Sequence, residues 1–166
     1  YYLERIREVE PDRFAVIKVG GAIIEDELDT LASSVHLLSD LGLTPVIVHG
    51  AGPQINQELE NRRLESRFED GLRVTDERTL AAVKRALNNA GKSIYFALTG
   101  KGIDAYRFNS GVFQAEPLDE DKYGRVGRVT GVDSSNIQLA CQNGTIPIVS
   151  CFGFDSAGND LNINAD

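Results

Sequence analysis

Two continuous apolar runs, each ending in glycines, constrain the fold of this chain more than any other feature. Residues 14–21 read FAVIKVGG, and residues 43–53 read LTPVIVHGAGP. An apolar run without alternation is typical of a strand buried on both faces, as in a parallel sheet. Between the runs, apolar positions at helical spacing predict a helix over residues 25–41, which Gly42 ends. The pattern predicts a β-α-β unit with a right-handed crossover.

Helical patterns follow the second run. A proline in the first turn supports a helix over residues 53–63, because its missing N–H has no partner to lose there. A longer apolar stripe covers residues 76–98. Thr75 is the predicted N-cap of that helix, and Gly91 is a candidate interruption.

The remainder of the chain mixes strands with one more helix. Residues 102–132 alternate short β-type runs with turn residues, which predicts hairpins laid on one edge of the sheet. A helix over 134–142 precedes a third buried-type strand over 145–153 and a short extended segment over 161–164. The order of elements predicts an α/β fold with a mainly parallel sheet.

Length and charge exclude several classes of function. The 166 residues make about one domain, and the net charge of −8 argues against binding to nucleic acid or to a membrane surface. No apolar run approaches the roughly 20 residues of a membrane helix. The spacing of Cys141 and Cys151 fits neither a zinc site nor a CxxC redox pair. Because the chain lacks methionine and stops in a polar cluster, we expect it to be part of a longer polypeptide.

Two strand ends with glycines are the first candidates for a functional site. Lys18 is unusual inside an apolar run because burial of an unpaired ammonium is costly, and Gly20 and Gly21 permit close backbone approach. The loop at 49–53 joins a strand to a helix, where backbone N–H groups and the helix dipole can bind an anion. The alternatives are a lysine that reaches solvent and an ordinary tight turn.

Polar residues in two further segments are also candidates. Arg73, in GLRVTD, offers a fork for a carboxylate, with a surface salt bridge as the alternative. Asn162 and Asn164, in NINAD, share one face of an extended strand and suit a small polar ligand. Asp166 could orient a lysine or bind a metal. A polar loop is the alternative for this segment.

The two histidines do not indicate a nucleophile or a zinc site. His36 lies near the apolar stripe of its helix and is expected to pack there, whereas His49 is expected to make structural hydrogen bonds. The sequence contains no GxSxG elbow and no HExxH motif. These absences argue against a nucleophile of these kinds.

Five strings, in order, resemble the amino acid kinase family: VIKVGG (16–21), VIVHGAGPQ (46–54), DGLRVTD (70–76), IPIVS (146–150) and NINAD (162–166). The sequences of these motifs are most similar to those of its acetylglutamate kinase branch, including the kinase domains of bifunctional acetylglutamate synthase/kinase proteins. The resemblance implies a three-layer α/β/α sandwich with a mainly parallel sheet. Residues 14–166 would be the N-terminal, acetylglutamate-binding lobe and residues 1–13 a lead-in. The ATP-binding lobe would lie outside this chain.

The resemblance also implies a role for each candidate. Lys18 would stabilise the transferring phosphoryl group, Asp166 would organise the catalytic lysines, and Gly20 and Gly21 would bind phosphate. The implied substrate-binding residues are Gly50, Ala51, Gly52, Arg73, Asn162 and Asn164. The more common family pattern has glycine where this chain has Ala51.

The implied reaction is phosphorylation of the γ-carboxylate of N-acetyl-L-glutamate by ATP in arginine biosynthesis. Mg²⁺ would be held mainly by the phosphates and water, so we expect no dedicated metal site in this chain. The fragment alone would be inactive. Homo-oligomerisation, feedback inhibition by L-arginine, and a location in a bacterial cytoplasm or a mitochondrial matrix are further implications. Two alternatives stay open. The chain could be a non-catalytic module that senses arginine or oligomerises beside an acetylglutamate synthase domain, or a family member that acts on carbamate, aspartate or a nucleotide.

Overall fold

The computed structural model describes residues 14–165, so the predicted lead-in of residues 1–13 and Asp166 lie outside the described residues. The strands are β1 (Phe14–Val19), β2 (Thr44–His49), β3 (Phe68–Glu69), β4 (Leu72–Arg73), β5 (Ala105–Phe108), β6 (Phe113–Pro117), β7 (Val126–Val132), β8 (Ile146–Ser150), β9 (Phe152–Phe154) and β10 (Asp160–Ile163). The helices are α1 (Gly21–Asp26), α2 (Leu28–Asp40), α3 (Gly52–Asn61), α4 (Glu77–Gly100), α5 (Glu120–Tyr123) and α6 (Ser135–Gln142). None of these helices combines the length and apolar character that a membrane crossing requires.

The main sheet contains four parallel strands in the order β1, β2, β8, β5. Their register aligns Val19 with His49 and His49 with Ser150, so three strands end at the same level. Carboxyl ends of parallel strands are where ligands bind in open α/β sheets. The predicted parallel sheet is therefore confirmed, and it brings the glycine-containing strand ends together.

Helices cover this sheet on both faces. On one face, Ile47 and Ile148 join a core with α2, α3 and α4. On the other face, Val46 and Val149 pack with Ile137 of α6. Because alternate residues of a strand point to opposite faces, these two cores make a helix–sheet–helix arrangement. The three-layer α/β/α fold is as expected.

A small closed barrel of β10, β7, β6 and β9 stands beside the sheet. The predicted hairpins on one sheet edge are thus wrong in placement: β5 joins the main sheet in parallel, while β6 and β7 pair antiparallel in the barrel. The predicted strand over 145–153 also divides, because the chain leaves the main sheet after β8 and enters the barrel as β9. A Cβ on Gly127 would lie 2.8 Å from Leu161 Cδ1, so the barrel closes too tightly for a side chain there.

Two expectations about burial near the chain's start are wrong. Strand β1 was expected to be buried on both faces, but it is an edge strand, and Phe14 and Val16 are 50% and 70% exposed. Within residues 14–165 no element covers that side of β1 enough to bury them. His36 was expected to pack, yet it is exposed and lies 3.7 Å from Asp40 one turn away.

Helix boundaries also differ from the pattern. The helix expected over 25–41 is two helices, α1 and α2, which divide at Glu27. Helix α4 continues through Gly91, and its N-cap is Asp76, whose carboxylate accepts from Thr79 N at 2.7 Å. Thr75 is therefore not the cap; its hydroxyl hydrogen-bonds Arg73 O and the distant Asn162 side chain instead.

Candidate functional site

A cavity of about 170 Å³ opens where β2, β4, β8 and β10 end. A single water needs only about 10–15 Å³ of such space, so the cavity accepts a ligand of several non-hydrogen atoms. The structure brings all six predicted substrate-binding residues to its lining: Gly50, Ala51, Gly52, Arg73, Asn162 and Asn164. Residues from three separate segments thus converge on one site.

The loop at residues 49–53, called the Gly-rich loop below, forms one wall of the cavity and leads directly into α3. Ala51 has a φ of −155° and a ψ of 40°, and its side chain is buried in the main core. A negative φ of this size suits any residue, so alanine fits where the family commonly has glycine. A Cβ on Gly52 would meet nothing within 4 Å. The first N–H groups of a helix have no partner within the helix, so this wall can bind an anion.

The β1 strand end lies next to that wall without lining the cavity. A Cβ on Gly21 would overlap Pro53 Cδ, and Gln54 Nε2 donates to Gly21 O at 2.8 Å. Glycine is therefore required for the two strand ends to meet. A Cβ on Gly20 would face open space. Lys18 is exposed and aligned with Val48, at the same end of the sheet.

Arg73 is a buried cation with neutral partners. It is 8% exposed; its Nη2 donates to Asn56 Oδ1 at 2.8 Å and its Nη1 to Ser66 Oγ. The Phe68 ring centroid lies 4.6 Å from its Cζ. Burial lowers the pKa of the guanidinium from its ordinary value. Within residues 14–165 no carboxylate forms an ion pair with Arg73, so the predicted alternative of a surface salt bridge does not apply among them.

The hairpin of β3 and β4 carries Arg73 and is tied to α5. Asp70, at its turn, accepts from Lys122 Nζ at 2.6 Å and from Tyr123 Oη at 2.7 Å. These bonds lower the pKa of the Asp70 carboxyl. Val74 N donates back to Arg67 O at 2.9 Å. The hairpin is thus held at both its turn and its base.

Asn162 and Asn164 reach the cavity from β10 and the residue beyond it. Asn162 Nδ2 donates to Thr75 Oγ1 at 3.1 Å, and Asn164 is exposed. A Cβ on Gly50 would lie 3.3 Å from Ala165 Cβ, so the end of this segment contacts the Gly-rich loop. The extended segment therefore borders the cavity between Thr75 and the Gly-rich loop.

His49 supports the loop from beneath. It is fully buried; its Nδ1 lies 3.2 Å from Gly50 O and its Nε2 lies 3.1 Å from Ser150 Oγ. Because a carbonyl only accepts, Nδ1 donates and Nε2 accepts from the hydroxyl. Burial lowers the pKa of His49, with the backbone bond to Gly50 opposing it and the charge of Arg107 adding to it. The neutral, structural role expected for His49 agrees with this geometry.

Sequence reasoning missed the residues that hold Arg73 and Asn162. Asn56 lies one turn into α3, Ser66 precedes the hairpin and Phe68 lies in it. The sequence around each of them carries no motif that indicates a functional site. Thr75, which holds Asn162, is predicted from the sequence to be a helix N-cap. Within residues 14–165, no group of three or more His, Cys, Asp or Glu side chains is placed to hold a metal ion.

Comparison with known proteins relates the chain to one family. The sequence profile of the amino acid kinase family matches residues 13–166. The chain is 44% identical over 165 residues to the mitochondrial protein arg11 of Schizosaccharomyces pombe. It is 41% identical over 165 residues to the acetylglutamate kinase of Xanthomonas campestris pv. campestris.

The chain spans only part of these relatives. The alignments cover 99% of this chain, but 19% of arg11 and 39% of the Xanthomonas kinase. The crystal structure of smu.665 from Streptococcus mutans UA159 superposes with a TM-score of 0.87 at 33% identity. That match covers 94% of this chain and 65% of the other.

Proposed function

The chain belongs to the amino acid kinase family, and from that premise we propose that its cavity binds N-acetyl-L-glutamate for phosphorylation by ATP. Residues 14–166 would be the substrate-binding lobe of an acetylglutamate kinase. The ATP-binding lobe would be supplied by the rest of a longer protein, since the relatives are much longer than this chain. The product would be the γ-acyl phosphate, an intermediate of arginine biosynthesis.

The observation that carries this proposal is the environment of Arg73. A buried charge without an opposite charge is costly, because neutral hydrogen bonds replace only part of its hydration. Asn56 and Ser66 hold the guanidinium at the cavity wall and leave its charge uncompensated within the described residues. A carboxylate of the ligand would compensate it, and the planar fork suits a carboxylate better than a point charge would.

The rest of the cavity suits the polar groups of an N-acylated amino acid. Asn162 and Asn164 offer amide donors and acceptors from one side. Ala51 and Gly52 bring backbone N–H groups to the cavity next to the N-terminus of α3, whereas the Gly50 N–H donates to Val19 O at 3.1 Å. An acidic ligand with one amide would therefore meet donors at both ends.

The phosphoryl step needs alignment and positive charge rather than a base. A γ-carboxyl group with a pKa of about 4.3 is ionised at neutral pH, so its oxygen can attack the γ-phosphorus directly. The new O–P bond forms as the bond from phosphorus to the leaving ADP oxygen breaks. Lys18 would stabilise charge on the transferring group, and Gly20 and Gly21 would bind the phosphates. A Cβ on Gly20 would meet nothing within 4 Å, so its backbone has open space beside it.

The remaining roles rest on the family resemblance. Asp166 would organise the catalytic lysines. ATP would bring Mg²⁺, whose ligands would be mainly phosphate oxygens and water. Homo-oligomerisation and feedback inhibition by L-arginine are part of the same proposal. So is a location in the cytoplasm of a bacterium or the mitochondrial matrix of a eukaryote.

An assay of the natural full-length protein tests the reaction. With N-acetyl-L-glutamate, ATP and Mg²⁺, it should release ADP and form an acyl phosphate that hydroxylamine traps as a hydroxamate. Lys18→Ala should lower kcat by roughly 10²–10³-fold, as removal of one charge-stabilising group does. Lys92→Ala, which changes an exposed lysine of α4, is the control. A folded protein that changes its assembly with arginine but forms no acyl phosphate would favour the non-catalytic module.

A further inference from the structure

Thr75 connects the Arg73 hairpin to the Asn162 segment although it does not line the cavity. It is fully buried between β4 and α4. Its backbone N donates to Tyr123 O at 2.9 Å, and its backbone O accepts from Arg125 N at 2.6 Å. These bonds tie the Thr75 backbone to the loop that precedes β7. The side chain is therefore held in one place by its backbone.

The direction of each hydrogen bond at the Thr75 hydroxyl follows from its partners. Oγ1 lies 2.7 Å from Arg73 O, and a carbonyl can only accept, so the hydroxyl donates its single proton there. Oγ1 can then only accept from its second partner, the side chain of Asn162 at 3.1 Å. The atom of Asn162 that faces Thr75 must consequently be Nδ2.

This bond orients the Asn162 amide with respect to the cavity. Its nitrogen is engaged by Thr75, and its backbone N donates to Arg125 O at 2.9 Å. Within residues 14–165, Oδ1 receives no hydrogen bond. Asn162 therefore presents an acceptor to the site that it lines.

We propose that Thr75 is a positioning residue that holds the Asn162 amide with its oxygen toward the ligand, so that the site recognises a ligand amide N–H. This inference rests on the proposed function, because it concerns how the same cavity selects an N-acylated amino acid. Without the hydroxyl, the Asn162 amide could turn and present its nitrogen instead. Recognition of the N–H would then be lost while the cavity keeps its shape.

An ester analogue isolates this recognition. In (S)-2-acetoxyglutarate, an oxygen replaces the N–H of N-acetyl-L-glutamate and both carboxylates stay in place. A site built around a hydrogen bond rejects an analogue that lacks the donor, because its buried acceptor is left unpaired. The ratio of the two dissociation constants therefore reports the orientation of the Asn162 amide.

The experiment compares three forms of the natural full-length protein by calorimetric titration with both ligands. The wild type should bind the amide about 10-fold or more tightly than the ester, the ratio expected for one hydrogen bond to a buried acceptor. In Thr75→Val the preference should fall to about threefold or less. Thr75→Ser, which keeps the hydroxyl, should retain the wild-type preference. A merely structural role for Thr75 would change stability or both affinities together and leave the ratio unchanged.

Each other outcome has a defined meaning. An undiminished preference in Thr75→Val, or a lost preference in Thr75→Ser, would overturn the positioning role. If the valine methyl against Arg73 O prevents folding, Thr75→Ala removes the hydroxyl without that contact and is read by the same ratio. A wild type that binds neither ligand would count against the proposed function instead. A wild type that binds both equally would overturn the positioning role alone.

Discussion

Gly91, near the middle of α4, lies against His49, the last residue of β2. A Cβ built on Gly91 would lie 3.1 Å from His49 Nε2, the atom that contacts Ser150 Oγ. Glycine thus lets the 24-residue helix approach the sheet directly beneath the Gly-rich loop. Glycine ordinarily weakens a helix, but the close contact with His49 requires it at this position.

The first prediction follows from that contact. Gly91→Ala should destabilise the protein by about 1 kcal/mol, although alanine is the better helix former by about 1 kcal/mol. The added methyl must displace a buried histidine, and overpacking of that kind costs about 1–3 kcal/mol. Urea unfolding measures the change. Gly100→Ala is the control, because a Cβ there meets nothing within 4 Å. If Gly91→Ala were as favourable as the control, the close approach would be wrong.

The second prediction concerns the pH dependence of stability. Burial lowers the pKa of His49 below its ordinary 6.5, so between these two values the unfolded chain binds a proton that the folded chain does not. The contribution of neutral His49 is complete above pH 6.5 and is lost as the pH falls from 6.5 toward the folded pKa. The slope in that window should approach about 1.4 kcal/mol per pH unit.

Urea unfolding at a series of pH values above and below 6.5 measures this slope. His49→Gln should flatten it, whatever the variant does to stability at neutral pH. An identical slope in the wild type and in His49→Gln would show that His49 does not titrate as its burial requires.

The third prediction concerns the tie between Asp70 and α5. Asp70 has a φ of 49°, which asparagine also tolerates, so Asp70→Asn removes the charge without backbone strain. Because the ion pair is exposed, global stability should change little. The hairpin should nevertheless open more often, and exchange of Val74 N–H should become several-fold faster. Asp133→Asn, at an exposed carboxylate bonded to Ser135, is the control. Unchanged exchange at Val74 would mean that the tie does not hold the hairpin.

The fourth prediction concerns Gly124, on the loop that supports Thr75. Gly124 has a φ of 67° and a ψ of −132°, and a Cβ there would overlap Thr75 O. Gly124→Ala should therefore destabilise the protein by roughly 3 kcal/mol, from backbone strain and a displaced hydrogen bond. Gly158 has a φ of 81°, but a Cβ there would meet open space, so Gly158→Ala should lower the free energy of unfolding by only about 1 kcal/mol. Equal losses in thermal or urea unfolding would exclude the contact with Thr75.

Sequence patterns singled out residues that line the cavity because several of its walls have a local signal. The Gly-rich loop follows an apolar strand and precedes a helix, and strand ends in a parallel sheet meet at one edge. Arg73 and Asn162 were candidates because a fork and paired amides are uncommon next to glycine turns and strand ends. Only the family resemblance grouped these residues into one site, because β10 belongs to a barrel that the order of elements did not predict.

Long-range packing decided the features that sequence patterns missed. The exposure of Val16 depends on whether an element covers that face of β1, and no local sequence pattern specifies this. Thr75 and Asp76 are both suitable caps, so the pattern could not choose between them. The Thr75 hydroxyl instead accepts a hydrogen bond from Asn162, 87 residues away. A contact at that separation has no signature in a single sequence.

The most direct test of this account is calorimetric titration of the natural full-length protein with N-acetyl-L-glutamate, for the wild type and Arg73→Lys. We expect saturable binding that Arg73→Lys weakens by about 10-fold or more, because a lysine cannot reproduce the fork. Arg63→Lys, at an exposed arginine after α3, should bind as the wild type does. A folded protein that binds no N-acetyl-L-glutamate, or binds it equally well with lysine at position 73, would contradict the account.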